Sequence, residues 1–442
     1  MSDKPRKFKG GVHPDDSKAL SKDKPIQDAP LLDSYKVIMH QNIGAPPELL
    51  VKKGDTVKKG ALLAKAGGFV SVPLHAPTSG TVKMIDKCPG PTGMAVPCIE
   101  ITADGEDEWG SPFEPVADWQ NTDPAELKQR VWDAGVVGMG GAGFPAHVKL
   151  SPPEGKEIDT LILNGAECEP YLTADHRLML EQAEDVVLGA AILARILGLE
   201  TAVIGVENNK PDAIEKLNEI ASKYNVKVQG LPVNYPQGAE KQLIYAITGR
   251  EVPIGGLPMD VKCVVQNVAS AVAVAEAVVK GRPSIERITT VTGKPVVNPG
   301  NWRFRIGTPV EKALELVGGV NEQPAKLLLG GPMMGIAQSS LGVTVMKNTS
   351  GILLIATDEV SLYTSEPCIR CGRCVEVCPM SILPATISQA VENKRFDWAE
   401  ELNVMACIEC GSCSYVCPSH RPLNQHFKRG KIEIQAQLRK KK

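Results

Sequence analysis

The chain has 442 residues, 43% of them apolar and 23% charged, with a formal net charge of −2. That length suits about three domains, and the balanced charge excludes a basic nucleic-acid-binding protein. No apolar run approaches ~18 residues, which excludes a helical membrane span, and the opening MSDKPRKFKG lacks the apolar centre of an export leader. Twelve cysteines in a chain expected not to be exported point to a reducing compartment, where thiols serve metals. Aromatics are only 4%, whereas 41 Gly and 34 Pro imply many tight turns and close backbone approaches.

In chain order, residues 1–30 are polar and rich in Lys and Pro, which predicts an extended arm. From 31 to 105, short β-type pieces alternate with Gly and Pro turns. ELLVKKGDTVKKGALLAKA (48–66) and SVPLHAPTSGTVKMID (71–86) resemble each other, with turn signals at Gly54-Asp55, Lys59-Gly60 and Pro77 to Gly80. The pattern is similar to the barrel-sandwich fold of biotinyl and lipoyl carrier domains. The Met-Lys-Met or Asp-Lys-Ala tip that carries their cofactor has no counterpart, so a structural domain is expected.

Between 120 and 285, helical and β periods alternate. Helices are expected at 125–134, 175–197, 213–223 (opening at Pro211), 238–248 and 268–280, and strands at 160–164, 201–206, 226–230 and 261–265. This is an α/β domain with a largely parallel sheet, whose ligands favour loops at the carboxyl ends of strands. Residues 286–346 shift to shorter elements, with ITTVTGKPVV, a turn at Asn298 to Gly300 and a helix near 309–317, which predicts a small α+β domain.

Two loops of the α/β domain stand out. GVVGMGGAGFPAHVK (135–149) is dense enough in Gly for consecutive N–H groups to face a phosphate, although it lacks the strand and ribose acid of a Rossmann fingerprint. As a bare pattern, a glycine-rich turn without a ligand fits equally well. NGAECEPYLTADHR (164–177) follows the TLILN strand, placing Asn164, Glu167, Cys168 and Glu169 where a strand-end ligand sits. The same loop also suits a polar cap on the next helix.

Near the C-terminus, over 358–428, Cys368, Cys371, Cys374 and Cys378 precede Pro379, and Cys407, Cys410, Cys413 and Cys417 precede Pro418. Both runs read C-x2-C-x2-C-x3-C-P, the spacing of bacterial two-cluster ferredoxins, in which the fourth cysteine of each run serves the other cluster. Cys368, Cys371, Cys374 and Cys417 are therefore assigned to one [4Fe–4S] cluster, and Cys378, Cys407, Cys410 and Cys413 to the other. Zinc sites use separated C-x2-C pairs, and disulfide frameworks suit small secreted domains. Cys88, Cys98, Cys168 and Cys263 are scattered. Residues 429–442 read as a basic tail, a solvated end or a contact for acidic headgroups or a partner.

GMGGAGFPAHVK followed by NGAECEP resembles the flavin and NADH loops of the NADH-oxidising subunit of respiratory complex I. The order of parts resembles still more closely the C subunits of Rnf complexes, ion-translocating NADH:ferredoxin oxidoreductases. Two ferredoxin runs favour that branch, and they argue against the A subunit of the sodium-pumping quinone reductase. The resemblance implies a multidomain α/β protein: a barrel sandwich, an FMN/NADH-type α/β domain, a β-grasp (SLBB-type) domain and a 2[4Fe–4S] ferredoxin-like helical domain. It implies that Gly138, Gly140, Gly141, Ala142, Gly143 and Lys149 hold FMN phosphate and ribityl, and that Phe144 stacks on the nicotinamide nucleotide. It places Asn164, Glu167 and Cys168 near the flavin ring and Glu169 near NADH. Tyr235, Gly238 and Glu240 of YPQGAEK would form a third contact loop, and Asn267 of QNVAS a phosphate-contacting turn. The chain departs from the complex I pattern at Met139, in place of an Arg, and at Ala239, in place of an acid.

The implied function is an enzyme subunit that passes electrons between NAD(H) and ferredoxin through non-covalent FMN and two clusters. Flavin is required because NADH gives a two-electron hydride and each cluster accepts one electron. The implied partners are membrane-embedded subunits and a ferredoxin-type subunit, and the implied place is peripheral, on the cytoplasmic face of the cell membrane. The alternative is an iron–sulfur relay whose flavin site is lost, which Met139 and Ala239 would explain.

Overall fold

The computed structural model describes residues 5–110, 113–360 and 363–440. The arm is not a solvated extension. Its strand β1 (Ile26–Asp28) joins a sheet of the third domain, and Val12 exchanges both backbone hydrogen bonds with Tyr235 (2.8 and 2.9 Å).

The barrel sandwich follows. β2 (Ser34–Ile38), β4 (Thr56–Val57), β7 (Gly80–Pro89) and β8 (Ala95–Ala103) form one sheet, and β3 (Glu48–Leu49), β5 (Leu62–Lys65) and β6 (Leu74–His75) the other. Val57, Leu63, Leu74, Val82, Ile99 and Ile101 fill the space between. At Gly54 the backbone takes φ 92, which suits the glycine read as a turn.

In the α/β domain, α1 (Pro124–Asp133) and the short α2 (Ala146–Lys149) precede β9 (Thr160–Gly165), α3 (Ala174–Glu181), α4 (Ala183–Leu197), β10 (Ala202–Glu207), α5 (Pro211–Ala221), β11 (Val226–Leu231), α6 (Glu240–Thr248), β12 (Cys263–Asn267) and α7 (Val268–Val279). The four strands are parallel in the order β11-β10-β9-β12. The single helix expected over 175–197 is two. Gln182 leaves helical geometry (φ −127), so α3 can pack toward the third domain while α4 lies along α7. That α4–α7 contact is close: a Cβ at Gly189 would fall 2.0 Å from the Ala271 carbonyl oxygen.

The third domain is built on β13 (Glu286–Thr292), β14 (Gly300–Arg305), α8 (Val310–Leu316), β15 (Lys326–Leu329), β16 (Ile336–Gln338) and β17 (Gly351–Ile355). Its sheet runs β1-β14-β13-β17-β15-β16, so it draws an edge strand and a central strand from outside 286–346. Arg305 of β14 grips Asp107 through two nitrogens, with Lys59 3.0 Å from the same carboxylate, and this ties the sheet to the barrel sandwich. Burial opposes the charge on Asp107, but the two cations outweigh it and hold the carboxyl at about 2.

The last domain is helical: α9 (Arg373–Glu376), α10 (Pro384–Glu392), α11 (Phe396–Glu401), α12 (Ser412–Tyr415) and α13 (Leu423–Lys440) pack around Ile387, Val391, Val404 and Phe427. Residues 429–440, expected as a tail, belong to α13. Their apolar spacing docks Gly430 and Ile434, and only from 435 onward is every described residue exposed.

Candidate functional site: a cavity beside two thiol sets

A cavity of about 460 Å³ opens at the carboxyl ends of β9 and β12, within the ~300–1,000 Å³ common for ligand sites. Gly138, Gly140, Gly141, Ala142, Phe144, Lys149, Asn164, Glu167, Cys168, Glu169, Tyr235, Gly238, Glu240 and Asn267 all line it. Gly143 lies outside the wall. Its φ of 73 and its approach to Gln41 give it a conformational task instead.

The glycine loop is shaped by where its carbonyls go. Lys347 Nζ donates to Gly135 O (2.6 Å), Ser270 Oγ to Val137 O (2.9 Å), Arg287 Nη2 to Met139 O (3.2 Å), Asn348 Nδ2 to Gly141 O (3.1 Å) and the Ile43 amide to Gly143 O (3.2 Å). Three domains thus pull alternate carbonyls outward. Among the described residues, the amides of Gly140, Gly141, Ala142 and Gly143 donate to no protein acceptor. A row of unspent N–H groups on an exposed loop is a cradle for an anion such as a phosphate. Gly140 abuts Asn267, whose side chain would lie 2.7 Å from an added Cβ, whereas a Cβ at Gly141 meets nothing within 4 Å. Met139 is buried in the core and offers the cavity no charge. Lys149 reaches Glu240 (2.8 Å) and Val265 O (3.0 Å).

The acidic loop divides its work. Glu167 caps α3, accepting from the amides of Asp175 (2.7 Å) and His176 (3.1 Å), as the helix-capping reading expects. Glu169 accepts from the amides of Met333 (3.1 Å) and Met334 (2.8 Å) in the third domain, and burial pushes it up to about 7 against the pull of those donors. Asn164 donates to Gly238 O (2.8 Å), and Cys168 Sγ accepts from the Gly238 amide (3.2 Å). Burial, reinforced by the charge of Glu167, likewise raises Asp175 to about 6, although Asn267 donates to it at 2.7 Å.

Two buried ammonium groups hold this loop from behind. Lys210 Nζ donates to Ala166 O (2.7 Å), and Lys18 Nζ donates to Glu167 O and Glu169 O (3.0 Å each) and to Leu172 O. Neither lysine was expected from the sequence, nor were Asp175, Met334, Ser350 and Ile408 in the cavity wall. A lysine among polar arm residues carries no signal of burial; only the topology brings Lys18 here.

The cysteines fall into two crossed groups. Cys368, Cys371, Cys374 and Cys417 line one hollow, and Cys378, Cys407, Cys410 and Cys413 line another. Among the described residues no three His, Cys, Asp or Glu side chains converge on a single ion. Four spaced thiols around a hollow suit a cubane, in which each thiolate takes its own iron. Gly372 (φ 80) and Gly411 (φ 78) turn the chain into the short helices that carry Cys374 and Cys413. Cys371 is exposed, whereas burial pushes the Cys407 thiol up to about 12 and raises Cys410 and Cys413 as well. The second set is therefore the inner one. Lys431 of α13 donates to Cys407 O (2.5 Å) and pairs with Glu409 (2.7 Å).

The cavity and the inner set share a wall. Ile408 lines both, Tyr235 donates its hydroxyl to Cys410 O (2.7 Å), and Cys168, Met333 and Ile408 pack with Tyr235 and Cys410.

Comparison with known proteins accounts for each part. Residues 6–106 match the RnfC barrel sandwich hybrid domain, 131–276 the Nuo51 FMN-binding domain, 288–337 the SLBB domain and 361–418 the 4Fe-4S dicluster domain. The chain is 48% identical to the C subunit of the proton-translocating ferredoxin:NAD(+) oxidoreductase complex of Clostridium ljungdahlii, over 90% of this chain and 87% of that one. It is 45% identical to the C subunit of the Na(+)-translocating complex of Acetobacterium woodii, over 98% of each chain. Against the C subunit of the ion-translocating oxidoreductase complex of Rhodobacter capsulatus the identity is 43%, over 98% of this chain and 84% of the relative. Among solved structures, an NAD+-reducing [NiFe]-hydrogenase in the H2-reduced state shares the fold, with a TM-score of 0.52 and 20% identity over 72% of this chain and 64% of that one. With these relatives spanning nearly its whole length, the chain belongs to the family of C subunits of ion-translocating ferredoxin:NAD(+) oxidoreductase complexes.

Proposed function

We propose that this chain is the subunit at which such a complex exchanges electrons with NAD(H), with FMN in the 460 Å³ cavity and a [4Fe–4S] cluster in each thiol set. One observation carries the reading: the cavity and the inner thiol set are joined by Ile408 and by the Tyr235–Cys410 hydrogen bond. A ligand in the cavity then lies one side chain from the inner set, with the outer set nearer solvent.

FMN, when bound, supplies the conversion between two-electron hydride exchange and single-electron steps. The protein's part is to bind, orient and keep water out. The amides of Gly140, Gly141 and Ala142 would take the phosphate, with Lys149 and Asn267 at its edge. Asn164, Glu167, Cys168, Tyr235, Gly238 and Glu240 would flank the flavin, and Phe144 and Glu169 would meet the nucleotide. Cys368, Cys371, Cys374 and Cys417 would hold the outer cluster, and Cys378, Cys407, Cys410 and Cys413 the inner one. The reading of a relay without flavin is the poorer one, because it leaves the unspent amides without a task.

No helix among the described residues is long and apolar enough to cross a membrane. We place the chain peripherally, on the cytoplasmic face, docked on membrane-embedded and ferredoxin-type subunits of the complex. The experiment is anaerobic purification with cofactor analysis. FMN and about eight irons, two cubanes of four each, are expected; protein that takes up irons but no FMN on reconstitution would leave only the relay.

A further inference from the structure

We infer that the arm segment Gly10-Gly11-Val12 is a positioning element that sets the separation between the flavin cavity and the inner cluster. The inference rests on the proposed function. The two redox sites meet through Tyr235, through the apolar contact around Ile408, and through Gln242, whose amide donates to Pro379 O (3.4 Å) beside the ligand Cys378. The arm adds a further bridge across this seam. The Gly11 amide donates to Val377 O (2.9 Å), next to the ligand Cys378, while Val12 pairs with Tyr235 through two backbone bonds. Asn234 closes the arrangement by donating to Gly10 O (3.3 Å).

The two glycines are fitted to opposite sides. A Cβ at Gly10 would stand 2.8 Å from Val377 O and 3.0 Å from the carbonyl carbon of Cys378. A Cβ at Gly11 would stand 2.5 Å from Asn234 Oδ1, one residue before Tyr235. Both adopt left-handed backbone (φ 79 and 90). One glycine thus rests on the cluster loop and its neighbour on the cavity loop, so the pair works as a shim of fixed thickness. The arm is anchored on the far side by Lys18, so it cannot slide out when the seam is loaded. Two adjacent glycines in a polar arm otherwise read as a flexible linker; here each meets backbone or a side-chain amide of a redox-site loop.

The test uses the whole chain with both cofactors reconstituted anaerobically, mixed rapidly with NADH. Flavin bleaching and the appearance of the reduced-cluster paramagnetic signal are followed separately, after flavin and iron contents are shown to equal those of wild type. In Gly10→Ala, flavin bleaching is expected at the wild-type rate, with cluster reduction slowed severalfold and its signal shape altered, because the Cys378 loop must shift. Removal of residues 1–12 takes out the shim without introducing a clash, and it should slow the same step. His13→Ala, an exposed neighbour, should change neither rate. Cluster reduction at the wild-type rate in both Gly10→Ala and the truncation would overturn the inference. If the clash in Gly10→Ala costs the protein its iron, the truncation alone decides. Wild-type flavin that NADH fails to bleach would sink the proposed function instead, which is a different result from an unchanged second step.

Discussion

Replacing Lys18 with Met tests whether the arm builds the cavity. The ammonium is buried and donates to three carbonyls of the loop that carries Glu167, Cys168 and Glu169. Bonds from a charged donor are worth about 1.5–3 kcal/mol each, which gives roughly 5 kcal/mol at the low end for three. Part of that is returned, since burial already lowers the pKa of Lys18 and the neutral side chain has no charge to desolvate. A net loss of about 3 kcal/mol remains, roughly a hundredfold in the local opening equilibrium. In a multidomain chain a global midpoint would not report an opening confined to one loop. Native-state hydrogen exchange over 164–173 is the right one, with FMN affinity measured in parallel. Exchange in that loop should speed up roughly a hundredfold at about 3 kcal/mol, and FMN should bind more weakly, while Lys22→Met on the exposed face changes neither. Unchanged exchange and unchanged FMN affinity in Lys18→Met would refute the idea that the arm shapes the cavity.

Gly141→Val should fold normally, since its added Cβ meets nothing within 4 Å, yet fill the anion cradle; the expected protein has full iron and no FMN. Gly140→Ala, by contrast, must displace Asn267, and its melting temperature should fall. Asp107→Asn removes a carboxyl held near 2, well below its ordinary 3.8. A depressed acid stabilises above the unfolded pKa and loses that contribution as pH falls from about 4 towards 2, so the variant should lose up to about 2 kcal/mol at neutral pH and show less acid dependence in a pH series of thermal melts. Glu169 is raised to about 7, so its neutral form favours the fold below about 4.5 and that contribution fades as pH rises through 7. Glu169→Gln should keep FMN, shift NADH affinity by about tenfold, ~1.4 kcal/mol, and flatten its pH dependence near 7 in a binding titration. Cys378→Ala should abolish the signal of the inner cluster, although Cys378 lies in the first run; paramagnetic resonance showing loss of the outer one would contradict the crossed sets.

The cysteine runs were legible because ligand spacing is local: each short loop fixes three thiols, and in this spacing the fourth cysteine of a run serves the other cluster. The glycine and acidic loops were legible as a pair but ambiguous apart. Glu167 shows why, since it caps α3 and lines the cavity at once. Strand and helix positions of the α/β domain follow their hydrophobic periods. The break at Gln182 does not, because it is set by what α3 and α4 pack against rather than by any Gly or Pro. The third domain's sheet takes its edge strand β1 from the distant N-terminal arm, a pairing that no local pattern encodes, and β17 from just past the expected boundary at 346. The basic end misled for a related reason: its charges mask the spacing of Phe427, Gly430 and Ile434 that docks α13. The arm was the least legible part, since its two glycines and Lys18 look polar and mobile until the surfaces they fit are assembled.

The most direct measurement is an anaerobic titration of the reconstituted chain with NADH, following flavin absorbance and cluster paramagnetism in the same sample. NADH is expected to bleach the flavin and then reduce the inner cluster, whereas Gly141→Val, carrying full iron, should show neither change. Clusters reduced by NADH to the same extent in flavin-free Gly141→Val would contradict it, because electrons would then be entering somewhere other than this cavity.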